Sequence, residues 1–414
     1  MRNVIWLVLL FTAAVVAALS LGDNDGLASF YWAGWRLDLS LNFFLLAAVG
    51  TGFVVVTAVH AVNRLIGLPA RAREWRGMRV ERAAHAALRE AQAEYFGARY
   101  SRAHKAAVRA SALRQEVPTL AGDLEFGLLA QLLAAGSLHR LQDKARRDEL
   151  LNSALRTARR GGGAAVDDGV RLLAAEWALD DRDGPRAEGL LAELQPGVAR
   201  RTQALRLKLK AARLARRPLD ALHTARLLSN HQAFSKTAAQ VLLRSLAIEA
   251  LEAPHDADQL RRTWQQVDSA DQRDPFVVAR AARRAAALGV PDEGRAWLRP
   301  LWDRLEALDA EGRAEVALAL ADASAGMGAD WLPRIEAAQR AYPTDAAVQA
   351  AVGAALVERQ LWGKARRPLE QAAGSPGLAA QARRRAWRSL ARLATEEYDD
   401  ERANACYRAA GEID

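Results

Sequence analysis

The longest uninterrupted apolar segment of the chain runs from Leu41 to Val62. Its 22 residues read LNFFLLAAVGTGFVVVTAVHAV and include no charged side chain. An α-helix rises about 1.5 Å per residue, so this segment would be about 33 Å long and would cover the hydrocarbon core of a bilayer. The pattern therefore predicts a membrane-spanning helix. The imidazole of His60 lies near the end of the span, where a polar side chain can reach the headgroups.

A second apolar segment precedes this span at residues 4–21, directly behind Met1, Arg2 and Asn3. A cleaved signal peptide also has a basic start and an apolar stretch. This segment is longer than a usual signal core, and its tail lacks a clean small-x-small cleavage site. We therefore expect a retained helix, so that residues 1–66 form a transmembrane hairpin with spans at about 4–21 and 41–62.

The loop between the two spans, residues 22–40, differs in charge from its flanks. It carries Asp23, Asp25 and Asp38 against Arg36, whereas the sequences on either side of the hairpin are basic. Basic residues near a span are retained on the cytoplasmic side. We therefore expect a multi-pass membrane protein, with both termini and the whole C-terminal part in the cytoplasm and the loop outside.

Aromatic and basic side chains mark the two faces of the predicted membrane segment. The outer loop is rich in aromatic rings, which suit the headgroup layer because one edge stays wet; the alternative is that the loop binds a molecule outside the membrane. Residues 67–82 form a basic connector that suits anionic lipid, and a break or bend is expected at its Gly67-Leu68-Pro69. The predicted membrane-interface residues are Trp32, Trp35, Arg64, Arg71, Arg73 and Arg76.

From residue 83 to residue 414 the pattern is helical throughout. Alanine and leucine dominate, and no long alternating run of β-branched residues appears, so an all-α fold is predicted. Small and large apolar residues recur with the spacing of tetratricopeptide repeats, which predicts a tetratricopeptide-like α-solenoid. The residues predicted to pack the repeats are Gly353, Trp362, Ala365, Trp387, Leu390, Ala403 and Tyr407.

The sequence contains no pattern typical of an enzyme. Histidines do not pair at metal-binding helical spacing, although His223 and His231 lie eight residues apart, and the lone Cys406 excludes a cysteine-based metal site. Nucleophile elbows, phosphate-binding loops and dinucleotide turns are all absent. The net charge is +9, but acidic residues are interspersed with the basic ones, so nucleic acid is not expected as a partner. We predict no catalytic residues, no metal site and no enzymatic activity.

The order of these parts resembles a known family. The loop ends in the sequence WRLDLSL at residues 35–41, and a Leu-Pro-x-Arg motif follows the second span at residues 68–71, before a repeat array. This arrangement is similar to the proteobacterial inner-membrane HemY proteins, which are assigned to porphyrin and protohaem metabolism. The Gram-positive flavin-dependent oxidase of the same name is unrelated, and no dinucleotide fingerprint supports that activity here.

The resemblance implies a role late in haem synthesis, and two interpretations remain open at this point. In the first, the chain is a membrane-anchored scaffold that recruits late haem-biosynthesis enzymes or hands on a porphyrin, since co-localisation raises effective concentration. In the second, it is a general envelope-assembly scaffold for cell-wall or secretion proteins. Haem or porphyrin is a possible ligand, and a tryptophan in the groove of the array could serve a flat one. The sequence does not specify cofactor-binding residues or the oligomeric state.

Overall fold

The computed structural model describes residue 16, residues 25–161 and residues 163–413. For residues 63–74 it describes the backbone alone. The first predicted span, residues 4–21, lies outside the described residues except for Val16. Two strands and twenty α-helices are found in the described part of the chain. Helices account for about 79% of it, which confirms the predicted all-α class.

The elements are numbered here in chain order. The strands are β1 (Leu27–Trp32) and β2 (Trp35–Ser40). The first ten helices are α1 (Leu41–Phe96), α2 (Tyr100–Glu116), α3 (Pro118–Ala121), α4 (Leu124–Arg140), α5 (Lys144–Gly161), α6 (Gly163–Asp180), α7 (Gly184–Ala192), α8 (Pro196–Ala199), α9 (Thr202–Leu214) and α10 (Pro218–Asn230). The remaining ten are α11 (Lys236–Glu252), α12 (Ala257–Gln266), α13 (Pro275–Ala287), α14 (Pro291–Trp302), α15 (Ala310–Asp322), α16 (Leu332–Ala341), α17 (Ala346–Glu358), α18 (Trp362–Gly374), α19 (Ala380–Glu396) and α20 (Asp400–Gly411).

The loop before the span contains a β-hairpin that the sequence analysis did not predict. Strands β1 and β2 pair antiparallel, with Trp32 opposite Trp35 across the turn. The two turn residues, Ala33 and Gly34, have φ of 45° and 88°, and two positive φ angles are what a tight type I′ hairpin turn requires. Ala33 is an unusual residue at such a position, which is why the turn is hard to recognise in the sequence.

Helix α1 continues without interruption from the predicted span into the first helical layer. It begins at the N-cap Ser40, whose hydroxyl accepts a hydrogen bond from the Phe43 amide at 3.3 Å. Of the break or bend expected at Gly67-Leu68-Pro69, the break is wrong, because the backbone remains helical there. A single proline removes only one backbone hydrogen bond, and the turns on either side of it retain theirs. The segment Leu41–Val62 is the one helix of the described residues that is long and apolar enough to cross a membrane, with a mean hydropathy of 2.1.

The chain divides into two compact units, Met1–Leu150 and Leu151–Asp414. In the first unit, the C-terminal part of α1 packs against α2 and α4. The contact is made largely by small side chains, which allow close approach of the helices: Ala84, Ala87, Ala91, Ala106, Ala107, Ala110, Ala130 and Ala134. Phe126 and Leu120 fill the remaining space at one end of this layer.

The second unit is an α-solenoid of helix pairs. Helices α13, α15, α17 and α19 begin at residues 275, 310, 346 and 380, so the pairs repeat every 34 to 36 residues. Along the series, α13 packs against α15, α15 against α17, and α17 against α19. Within the pairs, α13 packs against α14, α17 against α18, and α19 against α20. The core between them contains the fully buried side chains of Leu298, Leu320, Ile335, Leu356 and Leu369. A period of 34 residues is the one expected for tetratricopeptide repeats.

Candidate functional site: a basic groove in the second unit

The first helices of four successive pairs line a groove of about 910 Å³. Helices α13, α15, α17 and α19 each turn one face toward it. A volume of this size lies within the range of ordinary ligand sites. The groove therefore follows from the repeat itself, because equivalent helix faces of successive pairs lie side by side.

Small apolar residues form much of the groove surface. Ala286 and Ala287 come from α13, Ala350 and Ala354 from α17, and Ala382 from α19. An alanine reaches little beyond the backbone, so these positions leave open space between the longer side chains around them. The apolar part of the surface is accordingly shallow, and the long polar side chains determine its chemistry.

A chain of ion pairs crosses the groove from α13 to α19. Arg283 donates to Glu315 at 2.7 Å and to Asp322 at 3.1 Å. Asp322 also pairs with Arg385, so one carboxylate lies between two guanidinium groups. The side chains of Arg283, Glu315 and Asp322 are partly buried, which strengthens their mutual electrostatic attraction compared with fully exposed pairs, whereas half of the Arg385 side chain is exposed. The network fixes the positions of α13, α15 and α19 around the groove.

The surroundings of Arg385 disfavour its positive charge. Burial lowers the pKa of its guanidinium, and the neighbouring charge of Arg283 lowers that pKa further. Arginine nevertheless stays protonated at every physiological pH.

Two further arginines of α19 face the groove without an acidic partner. Within the part of the chain that the structure describes, no carboxylate lies within ion-pair distance of Arg388 or Arg392. Both side chains are exposed. Among the described residues that line the groove are five arginines and three carboxylates, an excess of two positive charges. The groove is thus an anion-attracting surface with two unpaired guanidinium groups on one helix.

The sequence analysis did not identify this basic face. Arg385, Arg388 and Arg392 lie at positions i, i+3 and i+7 of α19, which places them on one face of a helix. That spacing was visible in the sequence. The spacing alone did not indicate a functional surface, because arginine is common throughout the chain. Only the fold shows that this face lies in the groove.

Aromatic residues do not form the groove, contrary to the expectation for the tryptophans. Among the described residues lining it, none is aromatic and none is a histidine, cysteine or methionine. Trp264 and Trp297 instead stack on each other between helices, with ring centroids 4.8 Å apart. Large rings pack more favourably between helices than on an open surface, because burial removes a large apolar area from water.

The predicted membrane-interface residues fall into two groups. Trp32 and Trp35 flank the hairpin turn and are 85% and 83% exposed. Their exposure leaves both rings available to a headgroup layer. Arg76 is an exposed residue of α1. The other three predicted residues, Arg64, Arg71 and Arg73, belong to α1 by their backbone, and their side chains lie outside the described residues.

Most of the residues predicted to pack the repeats lie between helices. Ala365 is fully buried, and Gly353 faces Leu369, whose Cδ2 would be 2.5 Å from a Cβ added at the glycine. Trp362 and Trp387 are partly buried against the core. Two more of the predicted packing residues are buried, namely Leu390 and Ala403.

Tyr407 is placed differently, with 49% of its surface exposed. The buried position on that turn of α20 is Cys406, one residue earlier, between Ala403 and Ala410. Burial raises the pKa of the Cys406 thiol. The repeat spacing located the helix correctly in this segment but assigned the inward position to the wrong one of two neighbouring residues.

The histidines considered as metal ligands are separated by the end of a helix. α10 ends at Asn230, so His231 lies beyond it, while His223 Nε2 is 3.1 Å from the carbonyl oxygen of Gln266. No group of three or more potential metal-binding side chains is found among the described residues.

Comparison with known proteins identifies the N-terminal part of the chain. A search of curated proteins found no match. Residues 26–142 match the family model described as "HemY protein N-terminus". The matched region contains the hairpin, the apolar start of α1 and the first helical layer through α4. With the membrane-capable helix, this match indicates a membrane protein associated with haem biosynthesis. The resemblance inferred from the sequence is confirmed, and the N-terminal part of the chain is of the HemY type.

Proposed function

We propose that the protein is a non-enzymatic, membrane-anchored scaffold that brings together late haem-biosynthesis enzymes or passes a porphyrin between them. The observation that carries the proposal is the continuity of α1, which joins a span of 22 apolar residues to a packed helical layer without a flexible linker. The helix has 56 residues, so about 34 of them, or about 50 Å of helix, extend beyond the span. Partners bound to the protein are thereby held near the bilayer.

The second unit supplies the binding surface in this proposal. We assign it to the tetratricopeptide-like class because its helix pairs repeat every 34 to 36 residues. Such arrays bind other proteins along the surfaces formed by successive repeats. Late porphyrins are apolar and poorly soluble, so holding consecutive enzymes together at the membrane raises the effective concentration of each intermediate. We further propose that the hairpin lies outside and that both termini and the helical units lie in the cytoplasm.

The proposal is tested by isolating the full chain from membranes in a mild non-ionic detergent and identifying what accompanies it. We expect enzymes of porphyrinogen oxidation and iron insertion to be enriched over a matched preparation from cells that produce an unrelated membrane protein with the same tag. The purified protein alone should carry out neither reaction. Recovery of cell-wall or secretion enzymes without haem enzymes would replace this proposal with the envelope-scaffold interpretation.

A further inference from the structure

The unpaired positive charges in the groove of the second unit indicate which class of ligand binds there. Arg388 and Arg392 project from one face of α19, are exposed, and have no carboxylate partner among the described residues. The other groove arginines are already engaged: Arg283 with Glu315 and Asp322, Arg385 with Asp322, and Arg280 with Glu252. The positive charge that no carboxylate neutralises is therefore concentrated on two residues of one helix.

We infer that an extended acidic segment of a partner protein, with carboxylates on alternate residues, binds along α19 and pairs with Arg388 and Arg392. The inference deepens the proposed scaffold function and rests on it. Arginine clusters are a recurring device for binding acidic motifs, because the planar guanidinium group matches a carboxylate in a bidentate pair.

The spacing of the two arginines sets the spacing of the acidic residues. Residues four apart on a helix are separated by about 6 Å along its axis. In an extended chain the rise is about 3.3 Å per residue, and side chains two apart point to the same side. Carboxylates at positions i and i+2 of the partner therefore lie about 6.6 Å apart, close to the separation of Arg388 and Arg392.

The remaining groove surface favours a peptide over a flat ring. Alanines leave room for a backbone, and Ser389 and Gln381 offer polar groups within the same surface. No aromatic ring is present among the described lining residues to stack on a porphyrin, and no histidine, cysteine or methionine is present there to bind its iron. A porphyrin would therefore be bound only through its propionates.

The test uses the full-length protein in a non-ionic detergent and a fluorescein-labelled dodecapeptide of four glutamates and eight serines. In one peptide the glutamates occupy alternate positions, and in an isomer they occupy every third position. Fluorescence anisotropy at low salt should show tighter binding of the alternating peptide. The Arg388→Ala/Arg392→Ala variant should bind it about tenfold more weakly. The control variant is Arg367→Ala/Arg408→Ala, which removes two exposed arginines outside the groove and should stay within about twofold of the wild type.

Three results would overturn the inference. The isomeric peptides could bind equally, the groove variant could match the control variant, or protoporphyrin or phosphatidylglycerol vesicles could displace the peptide with the same arginine dependence and higher affinity. The first two leave the scaffold proposal standing if haem enzymes are still isolated with the chain, including with the groove variant. Loss of those enzymes from the wild-type preparation would instead contradict the scaffold proposal, whatever the peptides do. Helical content measured by circular dichroism verifies that the variants are folded.

Discussion

At the scale of single residues, close helix approach depends on glycine at particular positions. Gly294 lies on α14 where that helix meets α13, and a Cβ added there would be 2.9 Å from the carbonyl oxygen of Ala282. That neighbour is backbone, which cannot rotate away as a side chain can. Gly363 on α18 is the opposite case, since a Cβ there would meet nothing within 4 Å.

The two glycines should therefore respond with opposite sign to the same substitution. Gly294→Ala should destabilise the protein by about 1–2 kcal/mol, because overpacking outweighs the helix propensity that alanine adds. Gly363→Ala should be stabilising by about 0.5–1 kcal/mol, since it gains that propensity without a clash. Thermal unfolding followed by circular dichroism should show a lower Tm for the first and a higher Tm for the second. Equal Tm values would contradict the packing described for α13 and α14.

Residue-level roles were only partly predictable from the sequence. The small residues Gly353 and Ala365 follow from the repeat pattern, and both lie in close helix contacts. Arg295 could not be anticipated: it is buried and donates to the carbonyl oxygens of Ala325 at 2.6 Å and Gly326 at 3.3 Å. A buried arginine can be recognised only when the loop that accepts its hydrogen bonds is known. From the sequence alone, an arginine on a helix is expected to be exposed to solvent.

At the scale of elements, aspartates at helix starts join neighbouring pairs of the solenoid. Asp274 caps α13 by accepting hydrogen bonds from the amides of Phe276 and Val277, and its other oxygen accepts from Arg244 of α11 at 2.8 Å. Asp345 does the same for α17, with Arg313 of α15 at 2.9 Å. A single carboxylate thus caps the start of one helix and links that helix to the previous pair.

Asp309 provides a control for separating capping from linkage. It caps α15 through the amide of Gly312 at 2.8 Å, and no arginine pairs with it among the described ion pairs. Asp309→Ala should cost about 1 kcal/mol, the usual value of an N-cap, whereas Asp274→Ala should cost about 2–3 kcal/mol because Arg244 also loses its partner. Asp274→Asn keeps the cap and should fall between them. The order of the three Tm values tests this, and an Asp274→Ala variant no worse than Asp309→Ala would show that the ion pair contributes nothing.

Elements were predicted better than their boundaries. The second span follows from an uninterrupted apolar run, and the helical array follows from hydrophobic periodicity, which long helices display over many turns. The β-hairpin was missed because its strands are short, exposed and rich in aromatic residues that also suit a membrane interface. The predicted division at residues 82 and 83 remains a prediction.

At the scale of the whole molecule, the charge distribution predicts the orientation in the membrane. Arg2 and the basic residues that follow Leu41–Val62 favour the cytoplasm for both termini. A reporter active only in the periplasm, fused after residue 30, should give a signal, whereas the same reporter fused after residue 414 should give none. The reverse pattern would contradict the orientation. Signal at neither or both positions would contradict the two-span topology.

The groove is a property of the whole array, which is why its residues escaped the sequence analysis. Most of its members come from four helices, the first of which begins at residue 275 and the last at residue 380. The repeat pattern predicts that equivalent faces align, but it does not predict which arginines remain without a partner after the ion pairs between repeats have formed.

The central claim is that the protein supports haem synthesis from the membrane without catalysing a step. The most direct measurement is the content of haem and of its porphyrin precursors in cells lacking the gene, complemented by the full chain or by residues 83–414 alone. We expect the deletion to lower haem and raise its precursors, the full chain to restore both, and the anchorless chain to fail at equal abundance. Normal haem and precursor levels in the deletion strain would contradict the account.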